Sequence, residues 1–417
     1  MKVATVLAIY RIHLTEQLDF GGGKTVVKVA WFVPSPMEGS GGHRTIFQNV
    51  NALASQGYES DIYIEDDNSY LNLKDMKLSI NRYFGEINAD FYLGFSTEKK
   101  YDAIFATAWH TAKVVRDIPY DTKKFYFVQD FEAYFNPMGD GYLLAENSYK
   151  YNLTPITIGK WLSNVMVERF NTPSSYFDFC ADHNVYKRLP GAKREKAICF
   201  IYQPEKPRRC SIIGIEALGI VKHLMPEVKI YLYGSKNKTN VWFEHTNLEL
   251  ISVEGCNELY NKCSVGLCIS SSNPSRIPFE MMAAGLPVVD IYRENNLYDM
   301  PDGGVKLADQ TPESIANALI SILTNEEQID AMSQFGVEFM KEKTLEHGYT
   351  QFTEAVKNIL MSGSFENQVY PKSYNEPPVV ADAFLKKIKP LYPVKTNSSL
   401  GLKDFLRKVK NKVKKII

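Results

Sequence analysis

The residues best suited to chemistry lie where buried strands give way to polar loops. Between Ser270 and Val289 the chain reads SSSNPSRIPFEMMAAGLPVV, so that an apolar strand, VGLCIS, runs into a polar loop and then into a helix that the pattern opens at Glu280. Such a loop sets backbone N–H groups and a carboxylate at the mouth of a parallel sheet, where phosphates and nucleotides bind. VGLCIS and MMAAG serve equally well as core strand and core helix. A second loop, YQPEKPRRCSIIG, puts Lys206, Arg208 and Arg209 between a strand and its helix. Cations in that position can hold a diphosphate and stabilise it as it leaves; solvated surface charge is the simpler alternative.

A third strand end, FYFVQDFEAYFNP, places Gln129, Asp130 and Glu132 among aromatics. Carboxylates there face the crevice of an α/β sheet and can accept sugar hydroxyls or take a proton, while the aromatics can stack on a sugar ring. Helix capping and core filling explain the same residues without a ligand. Gly39-Ser40-Gly41-Gly42-His43-Arg44 joins the first convincing strand to its helix. Its glycines let backbone approach a ligand and its helix N-terminus favours negative charge, although a tight turn asks for the same residues. His110, in ATAWHTA, also follows a strand and either joins that cleft or is a structural histidine.

Other chemistries leave no trace. The chain has no P-loop, HExxH, GxSxG or clustered Cys/His set, and GSGGHR is not a GxGxxG fingerprint. No DxD-like element stands out, because Asp66 and Asp67 sit in a polar loop without supporting context. The expected reaction is metal-free.

Two stretches that alternate short apolar strands with helical patterns must position these loops, which is the sequence form of α/β domains with parallel sheets. The first runs from VVKVAWFV through a helix from His43 to about Ser55, then DIYI, YDAIFAT, KFYFVQ and PITIG. The second runs from AICFIY through SIIGIEALGIVKHL, VKIYLYG, EGCNELYNKC and SVGLCIS to LPVVDIY. The expected organisation is a Rossmann-like domain over 1–190, a second over 191–345, and a helix over 346–363 packing back across both. An irregular strap follows over 364–398, then a tail helix over 399–417. VYKRLPGAKREK, roughly 185–196, reads as the interdomain linker, and Thr311 before Pro312 reads as a helix cap.

In the tail, Leu402, Phe405, Leu406, Val409, Val413, Ile416 and Ile417 recur at helical spacing, with lysines and Arg407 largely off that stripe and Asp404 as the single acid. This basic amphipathic pattern suits an anionic membrane surface; packing on the body, or binding to nucleic acid or protein, are the alternatives. The whole chain has 417 residues, 45% hydrophobic and 23% charged, with 48 basic against 48 acidic side chains, a balance that gives no reason to expect a nucleic-acid partner. Six cysteines without a CxxC pair, several inside apolar runs, read as reduced core residues. MKVATVLAIYRIHL lacks a leader's cleavage site, and no apolar run reaches the roughly 20 residues that span a bilayer. The expectation is a cytoplasmic protein, peripheral on the inner face of the cell membrane.

PSRIPFEMMAAGLPVV resembles the donor-binding region of GT-B glycosyltransferases of the glycogen-synthase-like superfamily, whose pattern pairs two glutamates before a small-residue helix and a Gly-x-Pro-Val-Val strand. Glu280 matches the second, which implies a contact to the nucleotide ribose; the first falls at Ser272. EGSGGHRTIF, FVQDFEAYFNPMGDGYLLAENSY, ITIGKWLS, QPEKPRR and NPSRIPFEM, in order from about residue 29 to 290, are similar to bacterial rhamnosyltransferases of the WsaF type, with Gln203 where those tend to have Arg. The resemblance implies two Rossmann-like domains facing a cleft, a dTDP-L-rhamnose donor, and a growing, lipid-linked surface glycan as acceptor. Lys206, Arg208, Arg209, Asn273, Ser275, Arg276 and Glu280 would then bind the donor, and Gly41, Gly42, His43, His110, Asp130 and Glu132 the acceptor. His43, Arg208 and Glu280 are the catalytic candidates. Another nucleotide sugar, an epimerase or hydrolase on the same fold, and an inactive scaffold in which Ser272 has cost the chemistry remain as alternatives.

Overall fold

A computed structural model describes residues 26–237 and 241–382. Thirteen strands and eleven α-helices are found among them. In chain order they are β1 (Lys28–Val33), α1 (Gly41–Ser55), β2 (Glu59–Ile64), α2 (Leu73–Phe84), β3 (Asp90–Leu93), β4 (Ala103–Ala106), α3 (Trp109–Arg116), β5 (Lys123–Val128) and α4 (Asp140–Ser148). Next come β6 (Thr154–Ile158), α5 (Lys160–Phe170), β7 (Ser175–Phe177), β8 (Ala197–Ile201), α6 (Ser211–Leu224), β9 (Lys229–Tyr233), β10 (Thr246–Asn247), α7 (Val253–Lys262) and β11 (Val265–Leu267). The last are α8 (Arg276–Ala283), β12 (Val288–Ile291), β13 (Val305–Ala308), α9 (Pro312–Leu323), α10 (Glu326–Met340) and α11 (Leu345–Ser362).

The strands form two sheets, ordered β3-β2-β1-β4-β5-β6-β7 and β10-β9-β8-β11-β12-β13, and every recorded register is parallel. Strand pairing of this kind buries both faces, which is why AICFI and AIFA are apolar throughout rather than alternating. The described residues divide into two compact units, 26–127, 147–155 and 352–365 in one, and 128–146, 156–351 and 366–382 in the other.

In the first unit, aromatic ladders lock the register on both faces of the sheet. Trp31, Phe105 and Phe125, paired across β1, β4 and β5, stack at 4.2 and 4.6 Å. On the opposite face Phe32, Tyr63 and Tyr92, paired across β1, β2 and β3, stack at 5.1 and 4.9 Å. A slip of one residue would send each ring to the wrong side. Phe352 of α11 closes the first ladder, 5.4 Å from Phe127.

The second unit builds its core from β8, β9, β11 and β12 under α6 and α9, with Phe200, Leu218, Leu267 and Leu319 fully buried. Gly214 on α6 is a packing glycine, since a Cβ there would run into the Phe200 ring. Thr311 caps α9 through its Oγ, 3.2 Å from the Ser314 N–H, and Pro312 takes the first helical position. Residues 185–196, read as a linker, are held tightly: Lys187 and Leu189 donate N–H to the side chains of Asn257 and Asn261, and Arg194 donates to the carbonyls of Cys263 and Gly285. The helix expected over 346–363 is α11. Residues 366–382 lie along the second unit, where Val379 bridges β13 in parallel at Ala308. The basic tail over 399–417 lies outside the described residues, as does the N-terminal segment. Among the described residues no helix is long and apolar enough to cross a membrane.

Candidate functional site

The polar loops after β8, β11 and β12 meet at the C-terminal edge of the second sheet. After β8 the chain makes a 3-10 turn over Pro207–Arg209, and Cys210 adopts φ +45°, which swings the backbone directly into α6. Lys206, Arg208 and Arg209 thereby crowd the N-terminus of a helix of 14 residues. Burial pulls the Lys206 ammonium and the Arg208 guanidinium below their usual values; neighbouring arginines lower both further, and Asp130 counters this at Arg208. The buried Arg209 Nε and Ser211 Oγ have no partner among the described residues. Three half-desolvated cations at a helix N-terminus form a site that an anion would relax.

The loop after β11 is fastened on three sides. Asp290, fully buried at the end of β12, accepts from the Ser270 N–H at 2.8 Å, the Ser270 hydroxyl at 2.7 Å and the Ile291 N–H at 2.7 Å. Burial pushes its carboxyl up to about 7. Asn295 and Asn296 donate to the Ser270 carbonyl at 2.9 and 3.2 Å, and Ser271 Oγ donates to the Arg208 carbonyl at 2.8 Å. The cationic loop and the serine loop are thus one construction. Nothing in their spacing along the chain links Asp290, Asn295 and Asn296 to it; the only sequence signal is an aspartate inside the apolar strand PVVDIY, a costly placement unless its oxygens are occupied.

Asp130 enters from the end of β5. Ser272 Oγ donates to its Oδ2 at 3.2 Å, Arg208 Nε lies 4.0 Å away, and Asn273 Nδ2 donates to the Gln129 carbonyl at 3.0 Å. Burial raises the Asp130 carboxyl to about 6 against the pull of Arg208, Ser272 and Arg209. The Arg208 guanidinium also lies 4.4 Å over the Phe135 ring, so it is held between an aromatic face and a carboxylate. Glu132, in the 3-10 turn that ends at Phe135, adds negative charge felt at Arg208. The Asn273 Oδ1 is buried without a partner among the described residues.

The helix expected to open at Glu280 opens one turn earlier, at Arg276, because Ser275 is extended and Pro278 is tolerated in a first turn that needs no donor there. Glu280 therefore stands in the second turn of α8, half-buried; on α7, burial raises the proton affinity of Cys256 and Tyr260, and the Glu280 charge adds to it. Arg276 donates to the Cys180 carbonyl at 3.3 Å, and the Ser275 Oγ lies 3.7 Å from Cys268 Sγ. Gln203 donates to the Gly234 carbonyl at 3.1 Å and so braces the loop after β9.

The remaining candidates belong to the first unit. Ser40 caps α1, accepting from the His43 N–H, and Gly39 takes φ +72° just before it. His43 is buried, with Nδ1 2.8 Å from Ser40 Oγ and Nε2 3.3 Å from the Pro34 carbonyl, and burial lowers its pKa to about 4. Burial thus favours its neutral form, hydrogen-bonded to residues on both sides of the glycine loop's start. His110 is half-exposed, 3.2 Å from Glu65.

Residues 196–320 match the family model described as WsaF, C-terminal domain. The O-antigen biosynthesis protein RfbC of Myxococcus xanthus is 29% identical over 231 residues, 54% of this chain but only 18% of that longer protein. HepE of Anabaena, solved with UDP and glucose, superposes with a TM-score of 0.62 at 13% identity, covering 80% of this chain and all of that one. A mutant of S. aureus TarM, solved with fondaparinux, α-GlcNAc-glycerol and UDP, gives 0.64 at 8% identity over 79% of this chain and 99% of that one. The two parallel sheets and these neighbours define the fold as GT-B. The likeness to the WsaF family model covers the second sheet and the loops that carry the site.

Proposed function

We propose that the chain is a glycosyltransferase that moves a deoxyhexose, L-rhamnose from dTDP-L-rhamnose, to a hydroxyl of a growing, lipid-linked surface polysaccharide. The observation that carries the proposal is Arg208, stacked on Phe135 and facing Asp130, beside two further cations at the N-terminus of α6. In this reading Lys206, Arg208, Arg209 and the α6 N–H groups take the diphosphate, Glu280 the ribose, and Asn273, Ser275 and Arg276 border the sugar. Asp130 accepts the proton of the acceptor hydroxyl as its oxygen bonds to the anomeric carbon, and the bond from that carbon to the diphosphate oxygen breaks. The charge that develops on the leaving diphosphate falls among the cations, so no metal is assigned to this step. A carboxyl near pH 6 suits the base role, ionised at neutrality yet still able to hold a proton.

The M. xanthus relative's name supports the polysaccharide setting. The UDP in both neighbours favours a second reading of the same site, a uridine-linked donor. Thermal shifts across dTDP-rhamnose, UDP-glucose, dTDP and UDP separate the two: a ligand at about 100 times its Kd adds roughly 2.7 kcal/mol to stability. Shifts only with dTDP-rhamnose support the first, shifts only with UDP-glucose the second, and none at all contradicts both. On its sequence the basic tail over 399–417 would hold the enzyme at an anionic inner membrane surface. Removing it should abolish vesicle binding and leave transfer to a soluble acceptor intact; unchanged binding would refute this.

A further inference from the structure

The parallel ladder between β11 and β12 breaks off at a defined rung. Its bonds run from the Gly266 N–H to the Pro287 carbonyl and from the Cys268 N–H to the Val289 carbonyl, so the next would join the Ser270 N–H to the Ile291 carbonyl. Side chains take both halves of that rung instead. The Asp290 carboxylate receives the Ser270 N–H, and Asn296 Nδ2 donates to the Ile291 carbonyl at 2.8 Å. The chain after β11 is thereby released into a loop whose starting point is fixed by hydrogen bonds.

Three consecutive serines then leave in three directions. Ser270 is locked to Asp290 by its N–H and its hydroxyl, Ser271 Oγ reaches the Arg208 carbonyl, and Ser272 Oγ reaches Asp130. The Arg208 carbonyl takes no part in its own 3-10 turn, whose bonds run from the Arg209 N–H to Lys206 and from the Cys210 N–H to Pro207. Ser271 therefore orients that peptide, and it can do so only where Ser270 is held. Asp290 is fully buried and touches no ligand itself. Its Oδ1 accepts two N–H groups and its Oδ2 the hydroxyl. An amide in its place keeps an oxygen for both N–H groups and can give its own N–H to Ser270 Oγ. A methyl group would leave two backbone donors and a hydroxyl unpaired.

We propose that Asp290 is a positioning residue for the cationic loop: through Ser270 and Ser271 it sets the Arg208 peptide, and with it the strength with which that loop holds an anionic ligand. That this ligand is a sugar nucleotide rests on the function proposed above. The negative charge of Asp290 reaches Arg209 and opposes an anion, so charge and position predict different outcomes when the residue is changed. Asp290→Asn removes the charge and keeps the shape, whereas Asp290→Ala removes both. Ser271→Ala cuts the link to Arg208 from a half-buried position and reports even where Asp290→Ala fails to fold. Calorimetric titration with dTDP-L-rhamnose and UDP-glucose, and hydrogen exchange over residues 203–211, are read on the full chain. Asp290→Asn should bind within about threefold of wild type; Asp290→Ala and Ser271→Ala should bind about tenfold or more weakly and exchange faster over 203–211. The double variant should bind no more weakly than Asp290→Ala alone, because both changes act on one path. Equal affinities of the two Asp290 variants, affinity and exchange unmoved by Ser271→Ala, or additive losses in the double variant overturn the proposal. If neither nucleotide sugar binds the wild type, exchange decides alone. Faster exchange in Ser271→Ala then keeps the positioning role and removes the transferase reading, and unchanged exchange removes both.

Discussion

Ser272 Oγ donates a hydrogen bond to Asp130 Oδ2 across 3.2 Å, joining the loop after β11 to the residues after β5. At the position where the resembling superfamily carries a glutamate, this chain has a hydroxyl directed at a carboxylate from another strand. The site therefore keeps a carboxylate beside its cations without keeping it in the serine loop.

Replacing Asp130 with Asn preserves an acceptor for Ser272 and removes the base. Turnover is expected to fall by about 10²–10⁴-fold, the usual worth of a positioned general base, while donor affinity changes little. Steady-state transfer rates alongside calorimetric donor binding test this; retention of more than a tenth of the activity would contradict it.

Titration of the same group sets a pH dependence. Its folded value is raised from 3.8 to about 6, so the folded state binds the proton more tightly than the unfolded chain. The stability this contributes is full below pH 3.8 and is lost as pH rises to about 6, by about 3 kcal/mol. Wild-type kcat/KM should therefore lose activity as pH drops below 6. The Tm difference between Asp130→Asn and wild type should move in the variant's favour between pH 4.5 and 7, and then level off. A flat difference would show that Asp130 is ionised throughout.

Arg208 is both stacked and charge-paired, a geometry that a lysine does not reproduce. Arg208→Lys should weaken donor binding at least tenfold despite keeping the charge. Phe135→Leu should show a smaller loss in the same direction, because the guanidinium loses its platform. Equal affinities for wild type and Arg208→Lys would mean that only charge matters at this position.

Gly159 takes φ +82° just before α5, and a Cβ there would lie 2.5 Å from the Phe179 ring and 2.8 Å from Asp299 Oδ2. That carboxylate caps α5, accepting from the N–H groups of Lys160 at 2.8 Å and Trp161 at 3.3 Å. Gly159→Ala combines backbone strain with a displaced cap, and about 2–4 kcal/mol of stability should be lost in urea unfolding.

Much of this was legible in the sequence because parallel strands buried on both faces announce themselves as apolar runs, as in AICFI, VGL and VVDI. Thr311-Pro312 marked its helix start with a mechanism of its own. The opening of α8 was misplaced by a turn because the N-cap Ser275 uses no side-chain bond to the helix, so nothing in its residue type distinguishes it from Ser272. The glycines single out His43 in the sequence, whereas its burial and its contacts with Ser40 and Pro34 emerge only in the fold. Asp290 escapes a reading of the sequence for a physical reason. It acts through a partner 20 residues away, Ser270, and only the folded sheet edge brings that pair together.

The central claim is that the cationic loop before α6 holds the diphosphate of a sugar nucleotide. Calorimetric titration of the full chain with dTDP-L-rhamnose and with UDP-glucose, in wild type and in Arg208→Ala, tests it most directly. Saturable binding of one of them to wild type, weakened tenfold or more by Arg208→Ala, is the predicted result. Binding that survives Arg208→Ala unchanged, or no binding of either nucleotide sugar to wild type, would contradict it.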